Sequence, residues 1–184
     1  MSTSLAILLR ARLRPHDRRD RYELPLLQAL DAHFPGSRIT GGGTLLSRQR
    51  EPEFCDFDVE LAGDPQTGLA LAIGTLERQG APKGSTARLG KGQVRSFGVT
   101  EGIGLYLNGT DLPDEVYATN DVNDLIQQLH QRLGDQGSMQ SWWQGPRETA
   151  LYLYGPSAAR MRELVQDVVA SHPLAQQSRL VALT

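Results

Sequence analysis

Along the first half of the chain, segments with the two-residue hydrophobic period of a strand alternate with segments that have the 3.6-residue period of a helix. Strict alternation of apolar and polar residues predicts strands, and apolar residues at helical spacing predict helices. The four predicted strands span residues 5–14, 37–47, 53–61 and 86–89. Helices are predicted over 20–33 and 65–79, the first beginning near Glu23 because Pro25 is tolerated only in a first turn. The first half therefore has the predicted order β-α-β-β-α-β.

The second half repeats this order after a glycine-rich stretch, residues 90–98. Its predicted strands span residues 102–108, 138–143, 149–154 and 179–183. Helices are predicted over 122–133 and 157–171, with Asp121 as the N-cap and Gly134 as the C-cap of the first.

The repeated order predicts the fold class. It is α+β, a tandem pair of ferredoxin-like (βαββαβ) units with antiparallel sheets and helices on one face. The expected units are residues 1–95 and 96–184, packed as one compact domain. This fold carries many unrelated functions, so the pattern predicts architecture only.

In the first unit, charged residues alternate on the predicted outer sides of two neighbouring strands. They are Arg10, Arg12 and Arg14 on the first strand and Asp56, Asp58 and Glu60 on the third. If the two strands align these residues side by side, each arginine pairs with a carboxylate and the charges are neutralised. Each cross-strand pair then stabilises the sheet by about 0.2–1 kcal/mol. With an offset register, carboxylates are left for a partner or a cation.

In the second unit, the predicted outer face is aromatic. Tyr152 and Tyr154 alternate with two leucines, Tyr106 lies on the neighbouring strand, and either Trp142 or Trp143 shares their side. An aromatic cluster on an open sheet face is either an interface or a buried seam. Two interpretations stay open: burial against the first unit or in a homodimer, and a surface that binds a ligand or partner.

An acidic loop follows the first strand of the second unit, over residues 108–115. Asp114 and Glu115, with Asp121 and Asp124 beyond it, are candidates for recognising a basic protein; the alternative is ordinary solvated charge. At the tip of the predicted hairpin, Arg147 and Glu148 are expected to pair with each other or to close the turn.

Motifs for catalysis, metals and cofactors are absent from the sequence. Cys55, the only cysteine, lies on an inward strand position and is predicted to be a core thiol rather than a nucleophile. The four histidines are scattered without ligand spacing, which predicts no metal site. Gly41 to Gly43 lack the lysine and following helix of a P-loop, so a bent strand is expected. We therefore predict no cofactor and favour a non-enzymatic protein.

Composition and charge indicate which classes of partner the protein is expected to bind. The chain has 184 residues and a net charge of −2, with nine Lys/Arg and four Asp/Glu in residues 1–50 and ten and seventeen in the remainder. This balance makes nucleic acid an unlikely partner, and the aromatic strand 149–154 lacks the basic-Gly-aromatic start of an RNA-recognition motif. No apolar run is long enough to span a membrane, and no secretory signal precedes the first strand. A bacterial, cytoplasmic protein is expected.

Two functional hypotheses follow. The first is a protein-binding module, most concretely an immunity or inhibitor protein that neutralises a toxin or effector through acidic and aromatic surfaces. Its predicted partner-binding residues are Asp114, Glu115, Tyr106, Trp142, Trp143, Arg147, Glu148, Tyr152, Tyr154, Asp56, Asp58 and Glu60. The alternative is a small-ligand-binding protein or enzyme with a pocket between the two units.

Overall fold

The computed structural model describes residues 3–183, which fall into two compact units. Unit 1 comprises the chain up to Arg48 together with Pro52–Thr100. Unit 2 comprises Gln49–Glu51 and the chain from Glu101 onward. The main division therefore falls after Thr100, whereas the sequence placed it near residue 95.

Unit 1 is a five-stranded antiparallel sheet with strand order β2-β3-β1-β4-β5. Its strands are β1 (Thr3–Leu9), β2 (Arg38–Leu46), β3 (Pro52–Leu61), β4 (Ser85–Leu89) and β5 (Val94–Phe97). Its helices are α1 (Pro15–Arg18), a π-helical turn (Arg19–Glu23), α2 (Leu24–His33) and α3 (Pro65–Arg78). The first four strands have the order of a ferredoxin-like unit, and β5 extends the sheet at one edge.

The first strand is shorter than predicted. The side chains predicted to point inward are buried, including Ile7, Leu9 and Leu13. The strand nevertheless ends at Leu9, and the next amide, that of Arg10, donates to the Ser85 hydroxyl at 3.1 Å. Pro15, expected to end the strand, is instead the first residue of α1, where its missing N–H costs nothing.

The register of β1 against β3 removes the predicted arginine–carboxylate ladder. The β1 residues opposite Asp56, Asp58 and Glu60 are Leu8, Ala6 and Ser4. The arginines at positions 10, 12 and 14 lie beyond the paired stretch, so this prediction is wrong. Of the three carboxylates, Glu60 forms an ion pair with Arg38 on the other neighbouring strand.

The stretch 90–98, predicted as a connection, contains β5. It pairs with β4 from Ser85↔Phe97 to Arg88↔Val94. Gly90 has a φ of +49°, a conformation that glycine adopts without steric cost at the intervening turn. The four residues of β5 are too few to show a strand periodicity in the sequence.

Unit 2 is a four-stranded antiparallel sheet with strand order β7-β8-β6-β9, the order of a complete ferredoxin-like unit. Its strands are β6 (Glu101–Asn108), β7 (Ser138–Gln144), β8 (Glu148–Gly155) and β9 (Arg179–Leu183). Its helices are α4 (Asp114–Thr119), α5 (Val122–Leu133) and α6 (Ala158–Ser171), with 3-10 turns at Gly134–Gln136 and Pro173–Ala175. The sequence did not predict α4.

One face of the unit 2 sheet packs against α5 and α6. The buried cluster includes Ile103, Leu105, Leu151 and Leu153 from the strands, as predicted. It also includes Leu125, Leu129, Met161, Val165 and Val168 from the two helices. The predicted caps are confirmed: Asp121 accepts from the Asn123 amide at 2.8 Å, and Gly134 follows α5 with a φ of +54°.

The structure confirms the α+β fold of two ferredoxin-like units in tandem, each with helices on one face of an antiparallel sheet. Within residues 3–183, none of the helices is long and apolar enough to cross a membrane.

Candidate functional site

The outer face of the unit 2 sheet is aromatic, as predicted. Tyr106, Tyr152 and Tyr154 point away from the helix-facing leucines, and the Tyr106 and Tyr152 rings meet edge to face with centroids 6.5 Å apart. Of the two tryptophans, Trp143 shares this face. Its partner on β8 is Ala150, which is also the partner of Tyr106 on β6, so the three side chains lie on the same side of the sheet. Trp142 pairs with Leu151 and packs against the core on the opposite face.

Two glycines on the central strand β6 make room for these rings. A Cβ at Gly102 would lie 2.7 Å from the Tyr154 ring, and a Cβ at Gly104 would lie 2.7 Å from the Tyr106 ring. Real Cβ atoms do not approach other atoms so closely. The aromatic rings therefore lie against the bare backbone of β6.

The tyrosine hydroxyls hold a glutamate. Tyr106 donates to Glu51 Oε1 at 2.5 Å, and Tyr152 donates to the same oxygen at 2.9 Å. The four aromatic side chains of this face expose 9% or less of their surface. These side chains therefore offer almost no accessible aromatic surface.

Arg179 connects this face to the β8 hairpin. Its guanidinium carbon lies 3.8 Å from the Tyr106 ring centroid, and Nε and Nη2 each donate to a different Glu148 oxygen at 2.9 Å. This hydrogen bond to Arg179 lowers the pKa of Glu148 below its ordinary value. Of the two expectations for Arg147 and Glu148, the pairing is wrong, because Arg147 lies 3.3 Å from Asp111. The turn closure is found at Glu148, whose carbonyl accepts from the Gly145 amide at 2.8 Å.

The predicted acidic residues occupy helix starts. Asp114 and Glu115 are exposed in the first turn of α4, Asp121 caps α5, and Asp124 lies in the first turn of α5. Carboxylates are favourable at these positions because they interact with the helix dipole. Their placement has this local explanation whether or not a partner binds them.

The carboxylates of unit 1 lie on an open sheet face. Asp56 and Asp58 are exposed, and their neighbours on β2 are Gly43 and Gly41, which carry no side chain. Among the described residues, no group of three or more His, Cys, Asp or Glu side chains has the arrangement to hold a metal ion.

Cys55 lies on the inner side of β3 and is fully buried. Burial raises the pKa of its thiol to about 12, so the thiol stays protonated near neutral pH. The nearby Arg18 side chain is committed elsewhere: it donates to Glu23 at 2.5 Å and to the Gly43 carbonyl at 2.7 Å. These contacts give Cys55 the role of a core thiol.

Sequence reasoning missed a groove on the helix side of unit 2. It has a volume of about 680 Å³, within the range of small-molecule sites. Its lining consists of Leu107, Asn108, Gly109, Tyr117, Val122, Asn123, Ile126, Met139, Trp142, Gln144, Thr149, Leu151 and Leu174. Every lining residue belongs to unit 2.

The groove arises where the helices leave one end of the sheet uncovered. Leu107, Thr149 and Gln144 lie side by side across β6, β8 and β7 and form its floor at this end. Tyr117 of α4 and the first turns of α5 form the opposing wall. The sequence signal was the tryptophan on the helix-facing side, but its partner helix α4 was not predicted.

A smaller polar cavity of about 280 Å³ lies near the hairpin tip of unit 2. Its lining includes Asn108, Asp111, Arg147, Glu148 and Gln177. The charged side chains here already pair, Arg147 with Asp111 and Glu148 with Arg179. We therefore regard the larger groove as the stronger candidate site.

No protein-family model matches the chain, and no curated protein matches it in sequence. Among solved structures, an unknown protein from Galdieria sulphuraria aligns over 100% of this chain and 98% of its own, at 9% identity and a TM-score of 0.32. A candidate glycine cleavage system transcriptional repressor aligns over 99% and 96%, at 10% identity and a TM-score of 0.34. The ligand-free regulatory subunit of aspartate kinase from Thermus thermophilus aligns over 92% and 93%, at 14% identity and a TM-score of 0.29. All three TM-scores lie below 0.5, so these likenesses do not indicate a function.

Proposed function

We propose that the protein binds a small molecule in the groove on the helix side of unit 2. One observation carries this proposal: a concave space of about 680 Å³ with apolar floor and walls and a few polar groups. Ligand sites in proteins have this character and size. The site lies within unit 2, whereas the sequence hypothesis placed a ligand between the units.

The lining residues suit binding rather than catalysis. They include no Asp, Glu, His, Lys, Arg or Cys side chain. The Tyr117 hydroxyl is occupied by two backbone hydrogen bonds, and Thr149 has no neighbouring base in the lining to activate it as a nucleophile. Trp142 is half-buried at the groove and offers a flat apolar surface. We therefore propose a ligand-binding module in which occupancy of the groove, rather than a reaction, is the output.

A fluorescent probe and a blocking substitution test the proposal. N-phenyl-1-naphthylamine is a small apolar molecule whose emission rises in apolar surroundings, and it should bind saturably with one site per chain. Val122→Trp fills the wall of the groove and should weaken binding by about tenfold or more through lost contact volume. The control is Gln128→Trp, which places the same side chain at an exposed position of α5 that does not line the groove.

Equal binding to the wild type and both variants would place the probe elsewhere on the protein and overturn the proposal. Absence of saturable binding to the wild type would overturn it as well. Circular dichroism of both variants shows whether a loss of binding comes from the blocked groove or from a change in fold.

A second candidate is the immunity or inhibitor function expected from the sequence. It is favoured by the exposure of Asp114, Glu115 and Asp124 near one another in the chain, at the starts of α4 and α5. Asp56 and Asp58 of unit 1 are also exposed, as is Arg147 of unit 2, and each unit's residues stay separate candidates for partner contact. The aromatic residues of the outer sheet face expose too little surface to contact a partner without a change in structure.

Affinity capture tests this second candidate. A single stoichiometric partner that is retained by the wild type and lost from the Asp114→Ala/Glu115→Ala variant would support it. Retention of that partner by the variant would exclude this acidic segment as the binding surface. Light scattering on the same samples measures whether the protein forms a homodimer.

A further inference from the structure

The groove of unit 2 is uncharged along its whole lining. Its side chains are either apolar or neutral and polar, and none is a carboxylate, an ammonium, a guanidinium or an imidazole. Asp121 and Asp124 flank the lining residues Val122 and Asn123 in the sequence, but both are exposed and neither lines the groove. A ligand inside the groove therefore finds no opposite charge.

The polar groups of the groove are not equally available. The side-chain oxygen of Asn108 already accepts from the backbone amides of Thr110 and Asp111 at 3.0 and 2.9 Å. The Tyr117 hydroxyl donates to the Asn108 carbonyl at 3.2 Å and accepts from the Leu112 amide at 3.1 Å. Both groups are used to hold the loop before α4.

Unlike Asn108 and Tyr117, the side chains of Gln144 and Thr149 are available to a ligand. They form a directly opposed pair at the end of β7 and β8, and both side chains line the groove. Within residues 3–183, neither side chain makes a hydrogen bond. An amide and a hydroxyl next to each other can both donate to and accept from one polar group of a ligand.

From this we infer that the groove takes an uncharged molecule with an apolar body and one neutral hydrogen-bonding head, which Gln144 and Thr149 recognise. The inference rests on the proposed function, because it names the ligand class of the same site. Leu107, Leu151 and Trp142 contact the apolar body, and the head lies at the end of the β7–β8 hairpin.

Desolvation sets the preference for an uncharged head. Gln144 is exposed and Thr149 is half-buried, so a carboxylate or ammonium beside them loses part of its hydration, and without an opposite charge this loss is not compensated. A hydroxyl loses far less and regains hydrogen bonds from the neutral pair. Hydrogen-bonding sites also discriminate strongly against ligands that leave their polar groups unpaired.

Three probes that share an octyl chain test the charge preference. They are 1-octanol, octanoate and octylammonium, and none absorbs in the range of tryptophan fluorescence. The Trp143→Phe variant keeps Trp142 in the groove as the only tryptophan, whereas Trp142→Phe keeps Trp143 on the opposite sheet face. We expect 1-octanol to change the emission of the first variant saturably and to leave the second nearly unchanged.

Both charged probes should bind about tenfold or more weakly than 1-octanol, since their heads cannot be paired. Gln144→Leu and Thr149→Val should each weaken 1-octanol binding several-fold, by roughly fivefold for one lost hydrogen bond. Gln128→Leu and Thr86→Val are matched controls, because neither residue lines the groove, and both should bind like the wild type.

The outcomes separate the two proposals. If N-phenyl-1-naphthylamine binds and Val122→Trp blocks it, but octanoate or octylammonium equals 1-octanol, the charge preference is wrong and the ligand-binding function stands. If 1-octanol binds equally to Gln144→Leu, Thr149→Val and the wild type, head recognition by this pair is wrong. If neither the naphthylamine nor 1-octanol binds, both proposals are wrong.

Discussion

The strands β3 and β8 occupy the same place in their units, yet their outer faces differ. Each is the third strand of a βαββαβ unit and lies between the first and second strands. On their inner sides both carry buried apolar residues, such as Val59 and Leu153. On their outer sides, Asp58 is exposed in unit 1 and Tyr152 is fully buried in unit 2.

The comparison shows that topology determines the inner face and leaves the outer face open. The helices must cover apolar residues in both units, so the inner faces are alike. The outer face of unit 2 is aromatic, and its tyrosines hold Glu51 through two hydroxyls. The same position in unit 1 bears carboxylates that are stable in water and need no cover.

The largest expected effect comes from truncating the outer aromatic residue. Tyr152→Ala removes a fully buried ring and should lower the free energy of unfolding by about 3–5 kcal/mol. Asp58→Ala at the equivalent strand should change it by less than about 0.5 kcal/mol. Urea denaturation of both variants measures the difference, and similar losses would contradict the distinction between the two faces.

Two glycines, one on the outer face of each sheet, allow the same comparison by substitution with alanine. Gly104→Ala places a Cβ 2.7 Å from the Tyr106 ring and should destabilise by about 1–3 kcal/mol through overpacking. Gly41→Ala in unit 1 places a Cβ 3.9 Å from an Asp58 oxygen, which is ordinary contact. Thermal unfolding should show a lower midpoint for the first variant alone.

The hydroxyl contacts of the aromatic face have a smaller effect. Tyr152→Phe keeps the ring and removes one donor to Glu51, at an expected cost of about 1 kcal/mol. A double-mutant cycle with Glu51→Gln isolates the contact, and non-additive losses are expected because both side chains share one hydrogen bond. Strictly additive losses would mean that this bond does not contribute to stability.

The smallest effect is a pH dependence at the hairpin. Arg179 lowers the pKa of Glu148 in the folded protein, so ionised Glu148 favours folding above the ordinary glutamate pKa. This contribution is lost as the pH falls through the lowered pKa of the folded state. Because the pair is partly exposed, Glu148→Gln should cost at most about 1 kcal/mol at neutral pH.

The pH dependence is measured by denaturation of the wild type and Glu148→Gln over the acidic range. The two should become equally stable once the pH lies below the lowered pKa of Glu148. The control Glu163→Gln removes the carboxylate of an exposed i,i+3 pair on α6 and tests whether the loss of any surface ion pair gives the same result. A gap that widens at low pH would contradict the assigned direction.

The repeated periodicity predicted most elements because each leaves a strong local signal. The α5 helix has the predicted bounds and caps, since an apolar stripe, a capping aspartate and a terminal glycine all lie within its own sequence. The early end of β1 had no such signal. At that point the Arg10 amide donates to the hydroxyl of Ser85, which is distant in the chain and which no local pattern indicates.

The candidate site also has features that the sequence predicted and features that it did not. Alternation placed the tyrosines of β8 on one face and the leucines on the other, and the structure agrees. The groove was not predicted, because it depends on where α4 and the start of α5 lie over the sheet.

By itself, the sequence determined the order of elements, the ferredoxin-like pairing and the inward faces, because periodicity acts over neighbouring residues. Tertiary structure alone decided that Glu51 meets Tyr106 and Tyr152, that Arg179 pairs with Glu148, and that one end of the sheet stays open. These contacts join residues far apart in the chain. Their formation depends on register and helix placement, which no local pattern encodes.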